Sequence, residues 1–417
     1  MNAGPVAIVG AGLAGLRCAG LLNEAGVEVE VHEASDDVGG RARTDSQDGF
    51  RLDRGFQVLL TAYPEARRAL DYDALELGAF EPGAMVRIDN EFSLFSDPLR
   101  RPRSTPAALR SPAATLSDKL RLGWMRQELT LLGAGRILER KDRPALEALR
   151  ERGFSDRVIE HFFRPFFGGV FIDPDLETSS RLMEIFFRCF ASGDAALPAG
   201  GMDKMAGQLA ARLPEGSLKL NSPVAEVKPD GVRGEQGEWQ PARAVVVATE
   251  EREASRLLGS EAPPAGRSTA CLYFDAPAGE IDGRLLMLAP PGEGPVNELA
   301  VPSSVARGYA PPGRSLVSVS AIGDQVGRED LLEAVRDQLT GWFGAAVNGW
   351  RHLATKRVEY ALPDFAPGRF ERDGLPPRLD SGLLVCGDHR ESPSIQGALV
   401  SGRKAAEAIL EASPVAV

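Results

Sequence analysis

The chain has 417 residues, 43% of them hydrophobic and 26% charged, with a formal net charge of −11. Length and apolar content predict two or three domains with proper cores, which excludes a largely disordered protein, and the acidic balance argues against nucleic acid as a partner. No apolar run reaches the ~18 residues of a membrane-spanning helix, and four scattered cysteines with only four histidines give neither a disulfide framework nor metal-ligand spacing.

Met1 to Pro5 lack a basic segment followed by an apolar one, so no secretory leader is expected and the location is read as cytoplasmic. The first element is the run Val6-Ala7-Ile8-Val9, of the kind that forms a buried parallel strand. Gly10-Ala11-Gly12-Leu13-Ala14-Gly15 follows as G-x-G-x-x-G, then a helical pattern closed by Gly26. A second, alternating strand runs from Val27 to His32 and ends at Glu33.

This is the dinucleotide-binding arrangement. Gly10 makes the tight turn, Gly12 lets backbone approach a pyrophosphate, and Gly15 lets helix and strand pack closely. Ala14 sits in the first turn of a helix whose free N–H groups suit phosphate. Glu33 can bond ribose hydroxyls and would repel a 2′-phosphate, which argues against NADP. His32 is read as a packing residue at the strand edge.

The next stretch, Glu33 through Gly39-Gly40-Arg41-Ala42-Arg43-Thr44, resembles the E…GGRxRT signature of the FAD flavoproteins of the amine oxidase and phytoene desaturase superfamily. The resemblance implies that Gly39, Gly40 and Arg41 lie against the pyrophosphate and ribityl chain. It also implies that the segment with Gly55, Phe56 and Gln57 lies beside the flavin ring. Ala196 to Met202 resembles the family's L-P-x-G-G-M turn, and Val224 inherits a backbone contact to the adenine. At the C-terminus, Gly387-Asp388 and Ser394 to Ala406 resemble the closing G-D…G-A-x-x-S-G-x-x-A-A pattern. Asp388 would then meet the ribityl chain or pyrophosphate. Gln396, Gly397 and Ala398 would open a helix aimed at the flavin.

The implied fold is α/β: a Rossmann-like, glutathione-reductase-like FAD-binding domain with an inserted α+β substrate domain. Because the FAD segments are split, residues 1–75, 195–255 and 375–417 are assigned to the first, and 76–194 and 256–374 to the second. In the inserts, helices are expected from Ser117-Asp118 and from Ser155, strands over 269–274, 316–320 and 358–363, and a helix over 328–342.

Nine of the chain's 27 aromatics fall within 154–190. They read either as core packing or as the wall of an apolar substrate channel, with Phe166, Phe167 and Tyr360 as channel candidates. Residues 100–164 hold 15 Lys/Arg against 8 Asp/Glu. That basic stretch, with an exposed loop at Arg100, Arg101, Arg103 and Arg110, reads either as a solvated face or as a peripheral membrane contact.

No second nucleotide motif, nucleophile elbow or metalloprotease motif competes. The segment Ser268 to Phe274 lacks the lysine that many amine oxidases of the superfamily place near the flavin, and no Tyr/Trp pair precedes Gln396. No Cys-containing attachment motif is seen either, so FAD is expected to be non-covalent. The reading is an oxidoreductase that dehydrogenates an apolar, isoprenoid- or carotenoid-like molecule by hydride transfer to flavin N5, with oxygen or a quinone as acceptor. The catalytic residues are unassigned. The alternatives are a flavin amine oxidase, and an FAD-binding isomerase or redox sensor.

Overall fold

The structure, a computed structural model, describes residues 4–235, 237–369 and 374–412. The expected first strand lies in the middle of a five-stranded, wholly parallel sheet. Its order is Leu218–Lys219, Val29–His32, Val6–Val9, Ala244–Val247, Leu384–Val385. Val6, Ile8, Val31, Val245 and Val246 are fully buried there, as strands covered on both faces require. The helix Leu13–Glu24 leaves the first strand with Gly12 at its N-cap, and Gly26 turns the chain back at φ +75°. A Cβ on Gly15 would come within 2.0 Å of the Gly10 carbonyl oxygen, so glycine is what lets the helix press onto the turn. The C-terminal helix Ile395–Ala412 packs along the first helix.

Val224 opens a separate antiparallel meander of Val224–Lys228, Gly231–Gly234 and Trp239–Pro241. The larger sheet has seven strands in the order Arg351–Leu362, Arg267–Pro277, Arg314–Ile322, Glu298–Ala300, Leu286–Leu288, Gly83–Ile88, Glu91–Ser96. Its residues alternate between two faces. Leu272, Phe274, Val317, Val319 and Leu299 pack with Leu331, Val335 and Leu339 of the helix Leu331–Phe343. The opposite face, carrying Thr269, Cys271, Tyr273, Ser318 and Ser320, looks toward the parallel sheet. There the Tyr273 hydroxyl donates to the Asp53 carbonyl oxygen at 2.6 Å.

The helix expected from Ser117 spans Leu116–Leu131 instead, because Thr115 caps it. The Thr115 hydroxyl accepts from the Asp118 N–H, and the Asp118 carboxylate accepts from the Thr115 N–H. Met125 and Leu129 face the core while Leu120 and Trp124 are exposed. Ser155 does not cap by its side chain; its hydroxyl donates to Asp118. The chain then runs through a short wide turn, Ile159–Phe163, into the helix Arg164–Phe171.

The loop expected at Arg100–Arg110 is largely helical, at Pro102–Ser104 and Thr105–Arg110. Its arginines are also less free than the charge count implies. Arg100 donates to the carbonyls of Phe190 and Gly193 and pairs with Asp194, while Arg101 pairs with Glu81. Arg126, Arg140 and Arg152 further along are paired as well. No helix among the described residues is long and apolar enough to cross a membrane.

Candidate active site

A cavity of about 1320 Å³ runs from the parallel sheet to the seven-stranded one. Single-ligand pockets are commonly ~300–1,000 Å³, so this one has room for a large cofactor and a second molecule.

One end is built from the glycine turn. Gly10, Gly12 and Ala14 line it, with Glu33 at the end of the second strand. The Glu33 carboxylate is fixed by the turns on either side: Oε2 accepts from the Ala11 N–H at 2.7 Å, and Oε1 from the Ser35 N–H and hydroxyl at 3.0 and 2.6 Å. The Gly39 N–H donates to the Ala11 carbonyl at 2.9 Å, which lays the second glycine pair onto the first turn. Gly39 and Gly40 both have positive φ, +115° and +58°. Two bare stretches of backbone thus meet at a helix N-terminus, a cradle suited to phosphate.

Arg41 comes next. Its guanidinium donates to Asp388 Oδ1 at 2.5 Å and to the Ala361 carbonyl at 2.9 Å. Gly55, Phe56 and Gln57 line the middle of the cavity, where the Gln57 amide donates to the Arg41 carbonyl at 2.8 Å. Val224, Gly387, Asp388 and Ala398 line it too. Of the expected positions, then, segments near residues 10, 40, 56, 224 and 388 converge on one space.

Five expected residues lie outside the lining. Gly15 packs helix on turn, as its sequence role implied. A Cβ on Gly397 would come within 2.0 Å of the Ser392 carbonyl oxygen, so this glycine also serves packing. The Gln396 Oε1 accepts from the N–H groups of Glu65 and Ala66 at 2.9 and 3.4 Å, capping the helix Pro64–Ala69. Tyr360 is turned to Glu251, donating to it at 2.6 Å, while its neighbour Ala361 lines the cavity. Phe167 is fully buried between Phe163 and Phe171, whereas Phe166 does line the cavity.

The far end is apolar, walled by Phe95, Phe162, Phe166, Phe186, Phe187 and Phe190. Leu109, Leu116 and Leu120 both line it and reach solvent. Several lining residues escaped the sequence reading: Thr249 beside the glycine turn, Thr269 beside Gly55, and Glu298 and Ser320 on the larger sheet. Nothing in their local sequence marks them; sheet alternation alone would have given a face, not a cavity.

Asp53 stands just behind the site, joining the two halves. Its carboxylate accepts from the Thr44 and Tyr309 hydroxyls at 2.6 and 2.7 Å and from the Met202 N–H at 3.2 Å. Burial pushes its pKa up to about 6 despite those donors.

A cradle of bare backbone, a carboxylate at the strand end and a long continuation past Gly55 fit a dinucleotide whose ring system reaches the second sheet. Comparison with known proteins agrees. Residues 13–410 match the family model "Flavin containing amine oxidoreductase". The chain is 25% identical to 15-cis-phytoene desaturase of Synechococcus elongatus, covering 97% of this chain and 95% of that one. It is also 25% identical to coproporphyrinogen III oxidase of Propionibacterium freudenreichii subsp. freudenreichii, over 95% and 86%. The fold resembles that of putrescine oxidase bound to putrescine, with a TM-score of 0.70 at 19% identity, over 98% and 99% of the two chains. The chain belongs to the flavin-containing amine oxidoreductase family; it is an oxidoreductase with FAD as its cofactor.

Proposed function

We propose that this member of the flavin-containing amine oxidoreductase family dehydrogenates an apolar small molecule of isoprenoid type and passes the electrons to oxygen or a quinone. The observation that carries this reading is the aromatic and leucine-walled end of the cavity, open to solvent through Leu109, Leu116 and Leu120. The strand Arg267–Pro277, whose Thr269 lines the cavity, contains no lysine, in contrast to the amine oxidases considered above. Similarity to a phytoene desaturase along nearly the whole chain supports the same direction.

FAD, bound without a covalent link, supplies the two-electron acceptor. The chain's part is to bind it and exclude water. Gly10, Gly12, Gly39 and Gly40 offer backbone N–H groups to its phosphates, Glu33 its ribose contact, and Arg41 with Asp388 a charged clasp. Phe166 and its neighbours would hold the substrate against Gly55–Gln57. Residues 1–75, 195–255 and 375–417 are assigned to the FAD-binding part and the two inserts to the substrate part.

The cavity mouth is proposed to rest on a bilayer surface, from which an apolar substrate is drawn. Trp124 and Leu120 of the helix beside it are 74% and 69% exposed, a costly arrangement in water alone.

The test is anaerobic bleaching of the flavin absorbance by a panel of isoprenoids and amines. Rapid bleaching by an isoprenoid is expected. Bleaching by amines alone would assign an amine oxidase, and no bleaching by any compound would favour a redox-neutral isomerase or a sensor.

A further inference from the structure

Glu298 is out of place in an apolar pocket. Its strand lies between Leu286–Leu288 and Arg314–Ile322, and alternation sends Leu299 into the core and Glu298 to the cavity. The residue is 6% exposed. Its carboxyl is held by neutral groups alone: the Asn297 amide, itself donating to the Pro165 carbonyl at 3.0 Å, and the Ser320 hydroxyl. Among the described residues no Lys, Arg or His nitrogen comes within ion-pair distance of it. A Cβ on Gly169 would come within 2.5 Å of Oε2, so the glycine of the Phe-Phe-Gly-Gly run is what admits this carboxyl.

A purely hydrocarbon ligand would strand that group against apolar surface and cost its remaining hydration. A hydroxyl suits it in either protonation state, donating to the carboxylate or accepting from the acid. Burial pushes the Glu298 pKa up to about 7, so both states are populated near neutrality. A cation entering at this end passes an ammonium group first. Lys119 lines the mouth and donates to the Leu109 and Ser111 carbonyls at 2.6 and 2.8 Å, with no carboxylate in ion-pair distance among the described residues.

We infer that Glu298 seats the hydroxyl group of an otherwise apolar substrate, making this an enzyme of isoprenoid-like alcohols rather than plain hydrocarbons. The inference rests on the apolar-substrate reading above.

The experiment titrates the FAD-loaded protein with farnesene, farnesol and farnesylamine, following the flavin absorbance on binding. Farnesol should bind about tenfold tighter than farnesene, a difference of about 1.4 kcal/mol. Glu298→Leu should erase the preference, and Glu298→Gln, which keeps a donor and an acceptor, should retain most of it. If the Leu variant fails to fold, the comparison of the three ligands on the unsubstituted protein carries the test. Equal binding of farnesol and farnesene overturns the inference while leaving the apolar-substrate reading in place. Tightest binding of farnesylamine, lost in Glu298→Gln, overturns it in favour of a cation site. Failure of all three ligands overturns the apolar-substrate reading and the inference with it.

Discussion

Arg41 and Asp388 stand 347 residues apart in the chain and meet at 2.5 Å beside the cavity. Burial alone would lower the guanidinium's pKa, but the Asp388 carboxylate, together with Glu250 and Tyr360, outweighs this and raises it. The same side chain donates to Ala361 on the edge strand of the larger sheet. One cation therefore joins the second glycine pair, the last strand of the parallel sheet and the substrate side.

That clasp predicts a coupled effect on the cofactor. Arg41→Ala and Asp388→Ala should each weaken FAD by roughly ten- to a hundredfold, from the ~1.5–3 kcal/mol of a hydrogen bond to a charged group. The double variant should be little worse than either single one, because each removes the same interaction. Reconstitution titrations of the apoprotein measure all three.

Phe166 and Phe167 should behave oppositely although they are neighbours. Phe167→Ala opens a hole in the core and should cost ~3–5 kcal/mol of stability, with the folded fraction still reduced normally by substrate. Phe166→Ala, at the cavity wall, should slow flavin reduction and change the melting temperature less. Thermal melts paired with single-turnover reduction separate the two; identical behaviour would refute the assignment.

Asp53 predicts a pH dependence of stability. Its pKa is raised to about 6 in the folded protein from 3.8. Between those values the native state holds more protons than the unfolded chain, so this group's contribution falls as pH rises from about 4 to about 6 and is level above. The shift corresponds to about 3 kcal/mol at most. Asp53→Asn should flatten that part of the profile, read by denaturant unfolding at several pH values. An unchanged slope would show that Asp53 is not the source.

The exposed leucines and Trp124 predict reversible binding to anionic vesicles. With Arg100 and Arg101 tied into the fold, apolar insertion rather than charge should dominate. Leu120→Glu with Trp124→Ala should abolish co-sedimentation, while Arg103→Ala with Arg110→Ala should only weaken it slightly and make what remains less sensitive to salt. The reverse ranking would point to a purely electrostatic contact.

What the sequence determined by itself was the cofactor end. Tight turns, positive φ and close backbone approach are demands made on single residues, and glycine is the residue that meets them. The runs at Gly10–Gly15 and Gly39–Gly40 therefore announce their geometry locally, and the acid at Glu33 ends a strand whose alternation is visible. Only the tertiary structure decided which side chains face the cavity. Successive helical residues point about 100° apart, so Phe166 reaches the cavity and Phe167 the core according to how the helix Arg164–Phe171 docks. Gln396 became a cap because the helix Pro64–Ala69 begins beside it. Glu298 gained its role from strands and a glycine up to 129 positions away. Contacts of that kind depend on how distant elements pack, and no local pattern records them.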